Sequence, residues 1–434
     1  MKTTQVLVIG AGASGLMAGI AAARSGAEVV IAEQKDRPGR KILATGNGRC
    51  NFTNAYMDAA CYHDNAFAMQ VIRQFPGEQT LAFFRELGIY PSAHEGYYYP
   101  ASMQASSVLQ ALLGEAERAG VKIMNYARAV FVQAAGHEAG GFRVRIERTI
   151  PEGIRQKKKK NGKLRLQAES FRTEEEEWFC SRLILAGGGK AYASLGSDGS
   201  CYDLARSLGH HIVKPLPALT GIRCREDWFR DLAGVRVDAK VSLYEDTGDG
   251  GLKLLASDQG QVQFTEYGIS GIPVFQVSRY AAIALDQGRS VKAGLDFFPE
   301  ISREELSAYL RQHNPDQYTG LFPDKLLSLL LQIMPGKLDQ TLYCTCMQVN
   351  DFDKAQVTCG GISLEEIDSR TMESKICPGL YIAGEAADVD GICGGYNLQW
   401  AWSSGYLAGL HAAGEHAAGA HTAGNHGAGV HAAE

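Results

Sequence analysis

A glycine-rich turn near the start of the chain offers the clearest chemistry in the sequence. The β-forming run Gln5–Ile9 leads into Gly10-Ala11-Gly12-Ala13-Ser14-Gly15, and the alanine-rich stretch Leu16–Arg24 follows with a helical composition. A strand, a glycine turn and a helix in this order bring backbone N–H groups and the positive helix end close to a pyrophosphate, because glycine has no side chain to block the approach. The turn therefore predicts a dinucleotide site, without separating FAD from NAD.

An acidic residue completes this unit. A second predicted strand, Glu28–Ala32, ends in Glu33, where a carboxylate would accept hydrogen bonds from the hydroxyls of an adenosine ribose. Glycines in such a turn can also serve only to pack a helix on a sheet. Strand, helix, second strand and terminal acid occur together here, and their agreement favours the nucleotide interpretation.

Length, charge and cysteine content restrict the class of protein. With 434 residues, 45% of them hydrophobic, the chain can form about two or three globular domains. A net charge of −5 gives no overall basic field that would recruit nucleic acid or an acidic membrane. Ten scattered cysteines without a C-x-x-C pair fit a reducing compartment, and no apolar run is long enough for a signal peptide or a membrane span. We expect a cytoplasmic protein with no membrane partner.

Two segments downstream of Glu33 are candidates for the same site. The loop 36–51 is cationic and rich in glycine, which suits a diphosphate or an electron-rich ring but is also typical of a solvated surface loop. The run Tyr97-Tyr98-Tyr99 lies between predicted helices at Gln79–Leu87 and Ala105–Ala119. It could line a site for a planar substrate or form a half-buried strand.

The middle of the chain is rich in β-forming runs. Four short strands are predicted at 127–133, 142–147, 176–180 and 182–186. The basic stretch Arg155–Arg165 carries Asn161-Gly162 and predicts a hairpin, which could contact RNA phosphates or be neutralised by the acidic run Glu174–Glu177. Alternating strands and then helices follow, the helices at Arg303–Gln312 and Lys325–Ile333, and they predict an inserted domain.

A second glycine turn lies in the C-terminal part of the chain. A predicted strand at Gly379–Ala383 ends in Gly384-Glu385, and Gly394-Gly395 precede a predicted helix at Leu398–His411. The glycines permit the close approach of a flat ligand, and the helix N-terminus offers unpaired N–H groups and partial positive charge. For a flavin, this end would stabilise the negative charge that the reduced ring carries at N1 and the C2 carbonyl. The glycines could also only shape a turn.

Several longer runs carry a specific family resemblance. They are Gly39–Leu43, Gly48–Asn51, Gly196–Gly199, Thr371–Lys375 and Gly395–Trp402. On these runs the sequence resembles the BaiN/RdsA-like flavoprotein family, also called aminoacetone-oxidase-family FAD-binding enzymes, from residue 1 to about residue 410. It departs from the family pattern at Ile392-Cys393, often an aromatic residue followed by Thr, at Tyr97, often Arg, and in an extra hairpin at 155–173.

The resemblance implies an α/β fold with bound FAD. The expected architecture is a discontinuous FAD-binding Rossmann domain of glutathione-reductase type, residues 1–212 and 349–411 with an extra hairpin at 149–173, and an inserted β-rich domain with a small helical subdomain at 213–348. Family members are associated with NAD(P)H-dependent reduction of a C=C bond conjugated to a carbonyl. The substrate is a small enone, such as a 3-oxo bile-acid intermediate, or a uridine of 23S ribosomal RNA that becomes dihydrouridine.

The resemblance also implies which residues hold the cofactor. The first glycine turn would hold the pyrophosphate, Glu33 the ribose, the 40–51 loop the middle of the cofactor, and the second glycine turn the flavin. The complete expected set is Gly10, Gly12, Ala13, Ser14, Gly15, Glu33, Gln34, Arg40, Lys41, Gly48, Arg49, Asn51, Val130, Ala186, Gly187, Gly188, Gly384, Glu385, Asp388, Gly394, Gly395, Asn397 and Leu398.

Reduction of an enone also needs a proton donor for the α-carbon. Cys50 is the first candidate, because a thiol of ordinary pKa stays protonated at neutral pH, although a buried cysteine can equally be inert. Cys393 and Tyr396 are weaker candidates. An amine oxidase that passes electrons to O₂ and a non-catalytic FAD-binding module are the alternative functions.

The last segment has a different character. Histidines recur every five residues from His411 to His431, a step that spreads the rings around a helix axis and gives no common ligand face. We therefore expect no metal site in the sequence. Residues 412–434 are predicted to form a disordered, low-complexity tail.

Overall fold

The chain forms two compact units, each with its own hydrophobic core. The computed structural model describes residues 1–63, 65–136, 140–158, 164–248 and 250–414, so the turn of the basic hairpin at 159–163 and most of the tail predicted at 412–434 lie outside the described residues. The first residues of that tail are wrongly predicted as disordered, because Ala412 ends α9 and both Ala412 and Ala413 are buried. The first unit comprises Met1–Gly189, Ser194–Val213 and the chain from Gly360 onward, and the second comprises Lys190–Ala193 and Lys214–Cys359.

The helices and strands are numbered in chain order. The helices are α1 (Ala13–Arg24), α2 (Ala66–Gln74), α3 (Gly77–Glu86), α4 (Ala105–Arg118), α5 (Ser200–Ser207), α6 (Ile272–Asp286), α7 (Arg303–Gln312), α8 (Asp324–Ile333) and α9 (Tyr396–Ala412). The strands are β1 (Lys2–Ile9), β2 (Val29–Ala32), β3 (Thr53–Asn54), β4 (Pro91–His94), β5 (Tyr97–Pro100), β6 (Lys122–Met124), β7 (Ala127–Ala134), β8 (Phe142–Lys158), β9 (Leu164–Leu185), β10 (Ile212–Ala218), β11 (Ile222–Cys224), β12 (Arg236–Asp246), β13 (Leu252–Thr265), β14 (Gly268–Ser270), β15 (Val291–Asp296), β16 (Leu342–Val349), β17 (Val357–Ile362) and β18 (Leu380–Ile382).

A seven-stranded sheet organises the first unit. Its order is β6-β2-β1-β9-β8-β7, and β18 pairs in parallel with β9. The strands β1, β2, β6, β9 and β18 run parallel, and this buried part of the sheet consists of continuous apolar runs such as Val6–Ile9 and Leu183–Leu185. Their carboxyl ends therefore meet at one edge, where ligands bind in open α/β sheets.

One predicted break in this sheet is wrong. The runs 176–180 and 182–186, expected as two strands, belong to the single long strand β9, which continues through Ser181 and ends at Leu185. The strand is long because it has two partners along its length. Its first part pairs antiparallel with β8, and its last part, from Trp178, pairs in parallel with β1.

The helices α1 and α9 pack together at very short range. A Cβ atom at Gly405 would overlap the carbonyl oxygen of Ser14, and one at Gly409 would overlap that of Ala18. Two glycines one helical turn apart on α9 thus allow its backbone to touch that of α1. Among the described helices, none is long and apolar enough to cross a bilayer.

The second unit is built on a closed barrel. Its strand order is β11-β14-β13-β12-β15-β16, with antiparallel neighbours, and α6 packs on β12, β13 and β16. The core combines barrel residues such as Val241 and Phe264 with α6 residues such as Val277. The predicted helices at 303–312 and 325–333 are α7 and α8, whereas α6 lies in a segment for which no helix was predicted.

Candidate functional site

The first glycine turn lies at the carboxyl edge of the parallel sheet. Gly10 has a φ of +101°, and a Cβ there would lie 2.6 Å from the carbonyl oxygen of Ala186 at the end of β9. A Cβ at Gly15 would overlap the carbonyl oxygen of Gly10. A Cβ at Gly12, the N-cap of α1, would have open space around it. The turn is thus closed toward the protein and open in front of the helix N-terminus, as a bound pyrophosphate requires.

Glu33 fixes this turn from the end of β2. Its Oε2 atom accepts a hydrogen bond from the backbone N–H of Ala11 at 2.9 Å, and its Oε1 atom accepts one from that of Lys35 at 2.8 Å. Burial raises the pKa of the Glu33 carboxyl, although both backbone hydrogen bonds act in the opposite direction. The predicted ribose acid therefore lies beside the glycine turn in a fixed orientation.

The second glycine turn meets the first through Ser14. A Cβ at Gly384 would overlap the Ser14 hydroxyl, so the two turns are in direct contact. The Gly384 N–H donates to Ser404 Oγ and its carbonyl accepts from Trp400 Nε1, both at 2.9 Å, which ties the turn to α9. The next residue, Glu385, pairs with Lys41 at 2.6 Å. The structure thereby brings together predicted cofactor residues from both ends of the first unit.

The loop before α9 is held as a rigid frame. Asn397 Nδ2 donates to the carbonyl of Gly391 at 2.8 Å, and Asn397 Oδ1 accepts from the Gly391 N–H at 2.9 Å. The carbonyl of Gly394 accepts from Asn54 Nδ2 at 2.9 Å. Asn397 therefore fixes the backbone around the helix N-terminus, and the partly exposed residues Gly394 and Leu398 lie on this frame.

The side-chain oxygen of Asn51 indicates a ligand site beside the start of α9. A Cβ at Gly395, the N-cap of α9 with a φ of +94°, would lie 2.8 Å from Asn51 Oδ1. This oxygen is buried and, within the part of the chain that the structure describes, has no hydrogen-bond donor. An unpaired buried acceptor is unfavourable unless a bound group donates to it. The pyrimidine edge of a flavin carries such an N–H, and the open space at Gly12 suits its pyrophosphate, so the residues fit FAD.

The three candidate proton donors lie in different surroundings. Cys50 is fully buried, and burial raises the pKa of its thiol to about 12. Cys393 is partly exposed in the loop before α9. Tyr396 begins α9 and is 5% exposed; burial and the neighbouring Cys61 raise the pKa of its hydroxyl.

A short segment that the sequence did not single out packs on this loop. The carbonyl of Cys61 accepts from the Ile392 N–H at 3.0 Å, and the Tyr62 hydroxyl donates to the carbonyl of Tyr396 at 2.8 Å. His63 Nε2 lies 3.4 Å from Asp390 Oδ2, and both side chains are buried. More than 300 residues separate these partners in sequence, as the spacing of 334 between Tyr62 and Tyr396 illustrates, so no local pattern pointed to them.

Other predicted residues lie around the edge of the site. Gly187 and Gly188 follow Ala186, and Asp388 N–H donates to Ile362. Gln34 Nε2 donates to the carbonyl of Gly196, and Arg40 pairs with Asp36 at 3.4 Å. Gly48 and Arg49 are exposed, and Val130 lies exposed on β7. The tyrosine run forms the half-buried strand β5, in which Tyr97 also lies beside Gly394.

Comparison with known proteins identifies the family. The model of the HI0933-like protein Rossmann domain matches residues 4–411. The chain belongs to this family. It is 43% identical to the 3-dehydro-bile acid delta(4,6)-reductase of Clostridium scindens, over 94% of this chain and 98% of that protein. It is 28% identical to the ribosomal RNA dihydrouridine synthase of Haemophilus influenzae, over 93% and 97%.

A solved structure is similar over most of the chain as well. The open conformation of a flavocytochrome c3 fumarate reductase matches with a TM-score of 0.48 and 16% identity, over 96% of this chain and 79% of that one. The family model and the relatives confirm the predicted family, the α/β fold with a Rossmann unit and the assignment as an enzyme.

Proposed function

We propose that this enzyme takes hydride from NAD(P)H and reduces a C=C bond conjugated to a carbonyl in a small, steroid-like enone. The proposed substrate class is supported by the 43% identity to a bile acid reductase, which extends along nearly the whole of both chains. FAD, when bound, supplies the hydride transfer. What the protein contributes is binding, orientation and a proton, and each can be argued from its own residues.

Binding rests on the two helix N-termini. The open side of Gly12 lets the first N–H groups of α1 approach a pyrophosphate, and Glu33 is held by Ala11 and Lys35 where it can accept from a ribose. The α9 N-terminus presents unpaired N–H groups and partial positive charge beside Asn51. Negative charge on a bound ring is stabilised there, which favours the reduced cofactor.

The proton that completes the reduction needs a group close to the substrate. Tyr396 is favoured over Cys50, because it begins α9 directly after the partly exposed residues 392–395, whereas Cys50 is fully enclosed in the core. The raised pKa of Tyr396 keeps its hydroxyl protonated at neutral pH, so the proton is available for the α-carbon. Tyr62 and Asn397 hold the backbone of this helix end in place.

A uridine of ribosomal RNA is the second candidate substrate, supported by the 28% identical relative. The arginines whose side chains are described in the β8–β9 hairpin give it little support. Within the described part, Arg145, Arg148 and Arg172 each pair with a glutamate of β9. Neutralised arginines attract phosphates weakly. The small enone is therefore the better-supported class.

The test uses the flavin-loaded protein without oxygen. We expect NADH or NADPH to remove the flavin absorbance, and a 3-oxo bile acid with conjugated double bonds to restore it while gaining two hydrogens, measured by absorbance and mass spectrometry. Restoration by 23S RNA fragments, with dihydrouridine in their digest, would favour the RNA branch instead.

The two alternative functions predict different results in the same experiment. Peroxide formed from an amine such as aminoacetone, without NAD(P)H, would indicate an oxidase. A flavin that neither nucleotide can reduce would contradict the proposal and indicate a non-catalytic role.

A further inference from the structure

Sulfur and carboxylate ligands come together on one edge of the barrel, outside the cofactor unit. Cys224 ends β11, Glu226 follows two residues later, and Cys344 lies on the neighbouring strand β16. One ligand atom from each of these residues lies within 4.8 Å of the other two. No local sequence pattern indicated this cluster, because about 120 residues separate its halves, which the β11–β16 pairing brings together.

The distances suit a tetrahedral metal ion. Cys224 Sγ and Cys344 Sγ lie 3.5 Å apart. Zinc–thiolate bonds of about 2.3 Å place two sulfurs of a tetrahedral site roughly 3.8 Å apart. The two sulfur atoms would therefore need to separate by only a few tenths of an ångström.

Glu226 supplies the second, independent observation. Its Oε1 atom accepts a hydrogen bond from the Thr345 N–H at 2.8 Å, which fixes the carboxylate against β16. Its Oε2 atom is buried and has no hydrogen-bond donor among the described residues. A buried carboxylate oxygen without a partner is costly, and a cation beside it would remove that cost.

A further thiol is available for the fourth position. Cys346 is buried two residues beyond Cys344, on the same face of β16, and it interacts with Cys224. Each thiol that binds a metal ion would lose its proton to solvent.

We propose that the barrel binds a divalent ion of zinc type through Cys224, Cys344 and Glu226, with Cys346 as the fourth ligand. Thiolates select zinc over hard cations such as Mg²⁺ and Ca²⁺, which prefer oxygen ligands. The site holds the β11 and β16 strands together and is separate from the reaction, so its test does not depend on the proposed substrate.

The experiment uses the full-length, flavin-loaded protein with zinc alone as the probe. We expect one zinc ion per chain after removal of excess metal, measured by elemental analysis. Cobalt in its place should give the ligand-field absorption of a tetrahedral thiolate site, to the red of the flavin bands. Cys344→Ser and Glu226→Gln should weaken zinc binding by about 10-fold or more. The control is Cys359→Ser, which changes a buried thiol of the same unit outside the cluster and should bind like the unaltered chain.

A measurement on the unaltered chain covers the case in which a variant misfolds. Zinc should protect Cys224, Cys344 and Cys346 from alkylation under native conditions, read by mass spectrometry of peptides. Equal labelling with and without zinc, zinc retention no greater than in Cys344→Ser, or a Cys224–Cys344 disulfide in place of bound metal would overturn the proposal.

Discussion

Lys41 Nζ and Glu385 Oε2 lie 2.6 Å apart and join the loop after β2 to the turn after β18. Both side chains are partly exposed, so water screens the pair and its coupling energy should be modest, about 1 kcal/mol. We expect Lys41→Gln to weaken FAD retention several-fold, because the variant loses the positive charge that pairs with Glu385 beside the cofactor turn. Flavin-to-protein ratios and a double-mutant cycle with Glu385→Gln provide the measurement. Strictly additive losses of stability would contradict the coupling.

Substitutions at Gly12 and Gly10 should distinguish an effect on FAD binding from an effect on folding stability. In Gly12→Ala the new methyl group enters open space in front of α1, so the protein should fold with a loss of about 0.5 kcal/mol but bind FAD about 10-fold more weakly. In Gly10→Ala the methyl group meets Ala186 at a φ of +101°, so stability itself should fall by about 2 kcal/mol or more. Flavin titration and thermal unfolding of the flavin-free proteins distinguish the two. Unchanged FAD affinity in Gly12→Ala would contradict the assignment of the pyrophosphate to this position.

The contact between α1 and α9 can be tested by adding one methyl group. Gly405→Ala places it against the backbone of Ser14 and should cost about 1–3 kcal/mol in the free energy of unfolding. Gly114→Ala, within α4, has open space around the new group and should instead stabilise by about 0.5–1 kcal/mol. Denaturant unfolding measures both. Equal effects at the two positions would mean that the helices can separate without penalty.

His210 should make stability depend on pH. Its Nδ1 lies 2.9 Å from Glu366 Oε2 and its Nε2 2.9 Å from Ser374 Oγ. Burial lowers the pKa of His210, although Glu366 opposes the shift. In the unfolded chain His210 has a pKa of about 6.5, so it takes up a proton at a higher pH than it does in the folded protein. The contribution of His210 to the free energy of unfolding is therefore complete above that pH and is lost as the pH falls through the folded pKa.

Unfolding at pH 7.5 and pH 5 measures this contribution. The unaltered protein should lose more free energy of unfolding between the two than His210→Gln, in which no proton is taken up at this position. Identical losses in the two proteins would show that His210 does not titrate on unfolding.

The proton donor can be identified with two conservative substitutions. Tyr396→Phe should lower the rate of substrate reduction by about 100-fold while leaving flavin reduction by NAD(P)H unchanged. Cys50→Ala should leave both steps nearly unchanged and lower stability, because it removes buried volume from the core. Stopped-flow kinetics of the two half-reactions measure the difference. The opposite pattern would return the assignment to Cys50.

The sequence predicted the local units of the fold well, but it did not predict which distant segments contact each other. The β1–turn–α1 unit, Glu33 and the start of α9 follow from periodicity, glycine positions and one acidic residue, because each is encoded within a short window. The contacts of Cys61 and Tyr62 with the loop before α9 depend on chain segments far apart. The closure of the barrel and the cluster at Cys224 depend on pairing between strands that are far apart in the chain. A single sequence does not show which distant strands pair.

The glycines of α9 set the order in which the first unit can be completed during synthesis. The backbone of Ser14 lacks its contact with α9 until Gly405 has been made, so the ribosome must add nearly four hundred further residues before α1 and α9 can pack together. The barrel segment emerges in the interval and has its own core. Nascent chains halted before α9 should therefore carry an exposed apolar helix surface and depend on chaperones to stay free of aggregates.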